Sequence, residues 1–227
     1  MVLRILIFCL PLFCFSQNII DENQNKQGKW VQTHPNGELR YEGYFIDNMP
    51  NGIFNHYTKK GVLKANLEYF DAGKSSSARL YFSSGQLSAT GVYVGETKDQ
   101  LWKYFSEKGV LIKEENYNQG KLNGAVTTYY PSGEILQKLN FIEGLREGIS
   151  EQFYISGISK FTSNYKNDLL EGLFILNYSD GIKEYEGNYL KDQKNGVWKY
   201  YKDDGSFDYE IEFMNGIQLT TFDEEER

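Results

Sequence analysis

The stretch that decides the fold is Gly196-Val197-Trp198-Lys199-Tyr200-Tyr201-Lys202-Asp203-Asp204-Gly205-Ser206-Phe207-Asp208-Tyr209-Glu210-Ile211-Glu212-Phe213. An aromatic-rich segment runs into Asp203-Asp204-Gly205, where glycine tolerates the positive φ of a tight hairpin turn. Beyond that glycine, Tyr209 and Phe213 alternate with Glu210, the period of two that marks a half-buried strand. The stretch therefore reads as strand, turn, strand.

Gly205 is one of eight. Gly37, Gly61, Gly85, Gly109, Gly133, Gly157, Gly181 and Gly205 follow one another at an unbroken spacing of 24. Given the glycine content, extending one glycine through seven further positions has a chance probability of roughly one in ten million. Positions are numbered below from each turn glycine as zero. At +8 stand Phe45, Tyr69, Tyr93, Tyr117, Phe141, Tyr165, Tyr189 and Phe213, all aromatic. At −9 stand Gly28, Gly52, Gly124, Gly148, Gly172 and Gly196, with Ser76 and Gln100 as exceptions. The second strand of each unit covers +2 to +8, apolar at even and polar at odd positions. The first strand carries Trp30, Phe54, Trp102, Phe174 and Trp198 at −7, and Tyr57, Tyr81, Phe105, Tyr129, Phe153 and Tyr201 at −4. That three-residue gap breaks the period of two; a bulge, or a strand that ends near −4, accommodates it.

The expected architecture is all-β, an elongated antiparallel hairpin repeat of eight 24-residue units in a solenoid-like single sheet over 26–217. Asn51-Gly52, Asn123-Gly124 and Asn195-Gly196 are expected to form the turns between units. One hairpin is marginal alone, so stacking of aromatic rows from unit to unit supplies the burial. Composition agrees: 18 Tyr, 15 Phe, 3 Trp and 22 Gly against 4 Pro favour strands and tight turns.

Outside the repeat, Arg4 precedes an apolar run from Ile5 to Phe15, with small Ser16 before Gln17. These are the parts of a secretory signal peptide over 1–16, too short to span a bilayer. Its cleavage predicts an exported chain, periplasmic, outer-envelope or secreted. It also removes Cys9 and Cys14, leaving no disulfide or thiol chemistry. Residues 17–25 read as a lead-in and 218–227 as an acidic, frayed tail. A net charge of −7 argues against nucleic acid and against charge-driven binding to anionic lipid.

The pattern Gly-x-Trp-x-x-Tyr-(x)3-Gly-x-Leu-(x)5-Tyr, plainest at Gly196 to Phe213 and at Gly28-Lys29-Trp30 through Gly37-Glu38-Leu39 to Phe45, resembles the MORN (membrane occupation and recognition nexus) repeats in the variant form common in bacteria. The resemblance covers 26–217. It implies scaffolding, protein-binding surfaces and, in some members, lipid contacts; some relatives carry an antitoxin label, a role that fits export badly. Ala78 and Ser150 replace the −7 aromatic, Ser76 the leading glycine and Ser159 the +2 leucine. Units three and six are therefore expected to pack loosely or to bend the ribbon.

No catalytic, cofactor or metal residues are assigned. His34 and His56 occupy different registers and read as exposed strand or turn residues. Asp180-Gly181 and Asp203-Asp204-Gly205 lack the spaced ligands of a calcium loop, and Gly91 to Gly95 precedes no helix that would cradle phosphate. The aromatics at −7 and +8 are assigned to the core. Exposed rings are expected at −5 and −3, namely Phe82, Tyr104, Tyr130, Tyr154, Tyr178 and Tyr200, as a possible interaction surface. The functional expectation is a non-catalytic module for a protein partner, with no cofactor; glycan or lipid-headgroup binding through exposed rings is the alternative.

Overall fold

The computed structural model describes residues 17–223; residues 1–16, where a signal peptide is expected, and residues 224–227 lie outside the described residues. The described residues form one antiparallel meander of twenty strands in a single open sheet, each paired to a strand adjacent or next but one in sequence. The first unit pairs Lys26–Thr33 with Leu39–Ile46, and the second pairs Met49–Tyr57 with Leu63–Phe70. The plan repeats through Gln193–Tyr201 with Phe207–Met214. In units six and seven the first strand is interrupted at Glu147 and Glu171. Asn140 and Asn164 bridge these gaps, their Nδ2 atoms donating to the Glu147 and Glu171 carbonyls at 3.2 and 2.8 Å.

Every turn glycine has the left-handed conformation its position demands, with φ between 76° and 106°. In each turn the glycine N–H donates to the carbonyl at −3, and the −3 N–H donates to the carbonyl at +1, as in Gly37 to His34 at 2.9 Å and His34 to Glu38 at 2.7 Å. The register then slips by one residue between −5 and −4 in all eight hairpins. This bulge pairs −4 with +2 but −5 with +4, as Tyr57 with Leu63 and His56 with Ala65.

Two expected boundaries are corrected. The connection between units lies about four residues before the Asn-Gly pairs, at Asp47-Asn48, Gln119-Gly120 and Lys191-Asp192, all at positive φ. Asn51-Gly52, Asn123-Gly124 and Asn195-Gly196 sit inside strands instead, where Gly52, Gly124 and Gly196 take φ of 67°, 107° and 75°. There the left-handed glycine lets the strand bulge, and the register slips between Glu42 and Tyr44 and at the corresponding places further on. The second correction concerns the tail. Asn215-Gly216 repeats the inter-unit turn, so Ile217–Asp223 adds a strand against Phe207–Met214 and the sheet runs on past 217.

The two ends of the sheet differ. Ile19–Ile20 pairs with Lys26 and Gln27, and the Asn18 carboxamide continues that edge: it donates to the Val31 carbonyl at 3.0 Å and accepts from the Val31 N–H at 2.8 Å. At the other end Ile217–Asp223 is the last strand described.

Candidate interaction surface

The two faces of the sheet follow from the period of two. Positions −7, −5, +4, +6 and +8 fall on one face; −8, −6, −4, +5, +7 and +9 fall on the other. An odd gap of three therefore separates −7 from −4 by a whole sheet thickness, which resolves the broken period. Tyr57, Tyr129 and Tyr201, all at −4, donate their hydroxyls to Glu42, Glu114 and Glu186 at +5 of the preceding unit, at 3.1, 2.7 and 2.9 Å. Burial and then the Glu114 carboxylate push the Tyr129 hydroxyl up to about 12. The Tyr129 hydroxyl, with Lys103, holds the Glu114 carboxyl below its ordinary range against the opposing effect of burial.

The ring face is built by size matching between units. The −7 residue of each unit lies against the +6 residue of the unit before, eleven residues earlier. Trp102 and Trp198 are completely buried, and their rings lie flat over Gly91 and Gly187; a Cβ on either glycine would fall 2.2 Å from the indole. Phe54 covers Gly43 in the same way, with 2.4 Å to a built Cβ. Where +6 is large the partner shrinks, as Leu67 is paired with Ala78. Leu139 with Ser150 continues the register of Lys138 with Glu151. Ala78 and Ser150 are 2% and 1% exposed. Units three and six are thus tightly packed, contrary to expectation, because leucine fills the space that an aromatic ring takes elsewhere.

The +8 rings close this core from the side, all eight half-buried. Tyr93 meets Trp102 edge-on at 4.8 Å, Tyr189 meets Trp198 at 5.1 Å, and Phe45 and Tyr69 flank Phe54 at 5.1 and 5.2 Å. Among the described residues no second layer covers the rings. The chain's own cations do so: Lys26, Lys98 and Lys194 place their ammonium groups 4.9, 4.8 and 4.1 Å from the centroids of Trp30, Trp102 and Trp198. The indole N–H of Trp102 donates to the Val92 carbonyl and that of Trp198 to the Asn188 carbonyl, both in the preceding unit. Trp30 lies in the first hairpin described, and its buried indole nitrogen has no partner among the described residues.

The six rings expected at the surface are all half-buried. Tyr130, Tyr154 and Tyr178 are clamps: each donates its hydroxyl to the −4 carbonyl of the next unit, at 2.8, 2.8 and 3.2 Å. His34 makes the corresponding contact with the Tyr57 carbonyl at 3.1 Å. Tyr104 and Tyr200 lie on the ring face and accept hydrogen bonds from Lys98 and Lys194 at 2.6 and 3.1 Å. Phe82 stands at a turn. The exposed aromatics are instead Tyr44 and Phe70, at +7 and +9 on the opposite face.

That opposite face holds the surface which sequence reasoning missed. Ile53, Leu101, Ile149, Leu173 and Val197, all at −8, are exposed, Ile149 to 64%. Ile149, Leu173 and Val197 stand in successive units about 10 Å apart, twice the strand spacing, whereas Ile53, Leu101 and Ile149 are two units from one another. Their partners across the strand pairs are Glu68, Asn116, Asn164, Asn188 and Glu212. A second exposed row borders the first along the inter-unit turns, through Ile142, Leu145, Leu169, Leu190, Met214 and Ile217. Apolar side chains thus recur over the second half of the sheet as a band of two exposed rows, with polar residues such as Asn164 and Asn188 between the members of the −8 row. Such a band is unusual for a surface with no partner. Among the described residues no three His, Cys, Asp or Glu side chains converge on one point.

Comparison with known proteins places two segments of the chain. The family described as "MORN repeat variant" matches residues 26–47 and 122–143. Each segment holds the first strand, turn and second strand of one hairpin, units one and five. Both segments match the MORN repeat variant. The six other hairpins share the 24-residue spacing and the turn hydrogen bonds of these two. No curated protein matches the chain. Among solved structures, a crystal structure of TarM aligns at 11% identity over 52% of this chain and 20% of that one, with a TM-score of 0.26. A GtfA/B complex bound to UDP and GlcNAc aligns at 20% identity over 46% and 20%, with a TM-score of 0.22. The chain thus spans about a fifth of the length of these structures.

Proposed function

We propose that this protein is an exported, non-catalytic binding module, and that a protein partner covers the apolar band on the face opposite the rings. The supporting observation is the contrast between the faces. The aromatic face is packed from unit to unit and covered by the chain's own lysines, whereas the −8 row leaves large aliphatic side chains in water, about 25 cal/mol for each Å² that a partner would bury. A rigid sheet with this row repeated at fixed intervals is a scaffold for an elongated partner. Photo-crosslinkers placed at Ile149 and Leu173 should capture one discrete protein, while crosslinkers at Lys160 and Glu184, outside the band, should not. Equal capture from all four positions, or none, would overturn the assignment. Export is checked separately: N-terminal sequencing of the protein from its native host should begin at Gln17.

A further inference from the structure

The ring face contains a dish that its own chain leaves open. In unit eight, Lys194 Nζ lies 4.1 Å from the Trp198 centroid, 5.0 Å from Phe213 and 5.7 Å from Tyr185, and it donates to Tyr200 Oη. Unit four repeats the arrangement with Lys98 against Trp102, Tyr117 and Tyr104. In unit two the lysine position is Pro50 and the tyrosine position is His56. No ammonium enters, and Tyr41, Phe45, Pro50, Phe54, His56 and Tyr69 line an open dish of about 230 Å³. His56 Nε2 is buried there without a hydrogen-bond partner.

The rim has changed as well. The +3 positions flanking this dish are Arg40 and Lys64, whereas the dish of unit four has Ser88 and Ile112 and that of unit eight has Glu184 and Asp208. Both cations are exposed, and neither makes an ion pair among the described residues. Burial, then the charges of Lys64 and Arg40, hold the His56 pKa below its ordinary value, so the imidazole is neutral at neutral pH. Three differences coincide: the internal cation is gone, positive charge stands at the rim, and a buried polar nitrogen lacks a partner. Sites for drug-sized ligands begin at roughly 300 Å³, so the occupant is a single ring with a short arm.

We infer that this dish binds a flat apolar ring bearing a carboxylate, with the ring against Phe54 between Phe45 and Tyr69, and the carboxylate directed to Arg40 and Lys64. The inference does not depend on the apolar band of the other face. A free aromatic acid and the C-terminal aromatic residue of a peptide offer the same chemistry.

The test uses fluorine NMR of para-fluorophenylpropionate, its neutral amide and para-fluorophenethylamine with the intact protein. The acid should bind with a dissociation constant of about a millimolar, which is what about a dozen heavy atoms supply, followed by the amide and last the amine. Pro50→Lys places an ammonium where units four and eight have one and should weaken acid binding by at least about tenfold; its thermal unfolding is recorded alongside. The surface variant Arg40→Gln/Lys64→Gln, which leaves the packing untouched, should lower the acid to the level of the amide. A short peptide ending in free phenylalanine identifies the source: binding tighter than the free acid marks recognition of a chain end, and weaker binding marks a free metabolite. The inference is overturned if the amine binds as well as the acid, if no ligand binds up to about 10 mM, or if the Arg40/Lys64 variant binds like wild type.

Discussion

Gly91→Ala tests the size-matching account most directly. Gly91 does not need a left-handed backbone; it needs the absence of a side chain. A Cβ there would lie 2.2, 2.3 and 2.6 Å from three Trp102 ring atoms. Carbon atoms in contact sit about 3.5–4.0 Å apart, so the indole must retreat by about 1.5 Å. It is fully buried, wedged against Tyr93 and tied to the Val92 carbonyl at 3.0 Å, so it has no free direction. Overpacking of this kind costs about 1–3 kcal/mol, and loss of the indole hydrogen bond adds about 1 kcal/mol. The expected destabilisation is therefore about 2–4 kcal/mol. Gly85→Ala is the control: a Cβ there meets nothing, and the cost is about 1–2 kcal/mol of left-handed backbone. The decisive variant is Gly91→Leu/Trp102→Ala, which copies the Leu67–Ala78 pair found one unit earlier. It should recover more than about 1 kcal/mol relative to the sum of its single changes. Urea unfolding read by circular dichroism measures the totals. Because stacked repeats need not unfold in one step, amide hydrogen exchange locates the loss in units three and four. An unchanged Gly91→Ala midpoint, or strict additivity in the double variant, would refute the reasoning.

Further expectations concern the clamps, the band and pH. Tyr154→Phe removes one inter-unit hydroxyl bond and should cost about 0.5–1.5 kcal/mol, seen as faster amide exchange at the junction of units six and seven. Ile149→Lys and Leu173→Lys should leave stability within about 0.5 kcal/mol, since both side chains are already in water, yet abolish capture of the partner by a photo-crosslinker placed at Val197. On the acid side, the Glu114 carboxyl is lowered by its bonds to Tyr129 and Lys103, and that of Glu186 by Lys183 and Tyr201. A folded-state pKa below the unfolded value gives stability that is present above pH 4.5 and lost as pH falls through the folded value. On the alkaline side, the raised Tyr129 hydroxyl gives stability that is present below pH 10 and lost as pH rises through about 12. Tyr129→Phe should flatten both limbs when unfolding midpoints are measured against pH.

The repeat length, the hairpins and the eight left-handed glycines were legible because each turn carries a residue that only one backbone geometry favours. Less was legible where two residues share a job. The matching of Gly43 with Phe54, Gly91 with Trp102 and Leu67 with Ala78 is written at a spacing of eleven, but it becomes visible only once strand pairing sets one residue against the other. Without that pairing, Ala78 and Ser150 read as defects. The exposed row was hidden for a different reason. Its members recur every 24 residues, yet Lys29 and Ser77 interrupt it, and the more numerous aromatics drew the assignment of apolar surface to themselves. Tyr130, Tyr154 and Tyr178 looked available because a hydroxyl clamp to a carbonyl 23 residues away leaves no mark in composition.

Each strand of this sheet is held by the strand made just before it and the one made just after. A nascent chain can therefore condense in order, hairpin by hairpin, as it leaves a narrow conduit, never waiting for a distant segment to complete its pairing. The Asn18 carboxamide occupies part of the first edge, at Val31, and duplication of a whole hairpin lengthens the ribbon toward Ile217–Asp223 without rewriting its neighbours.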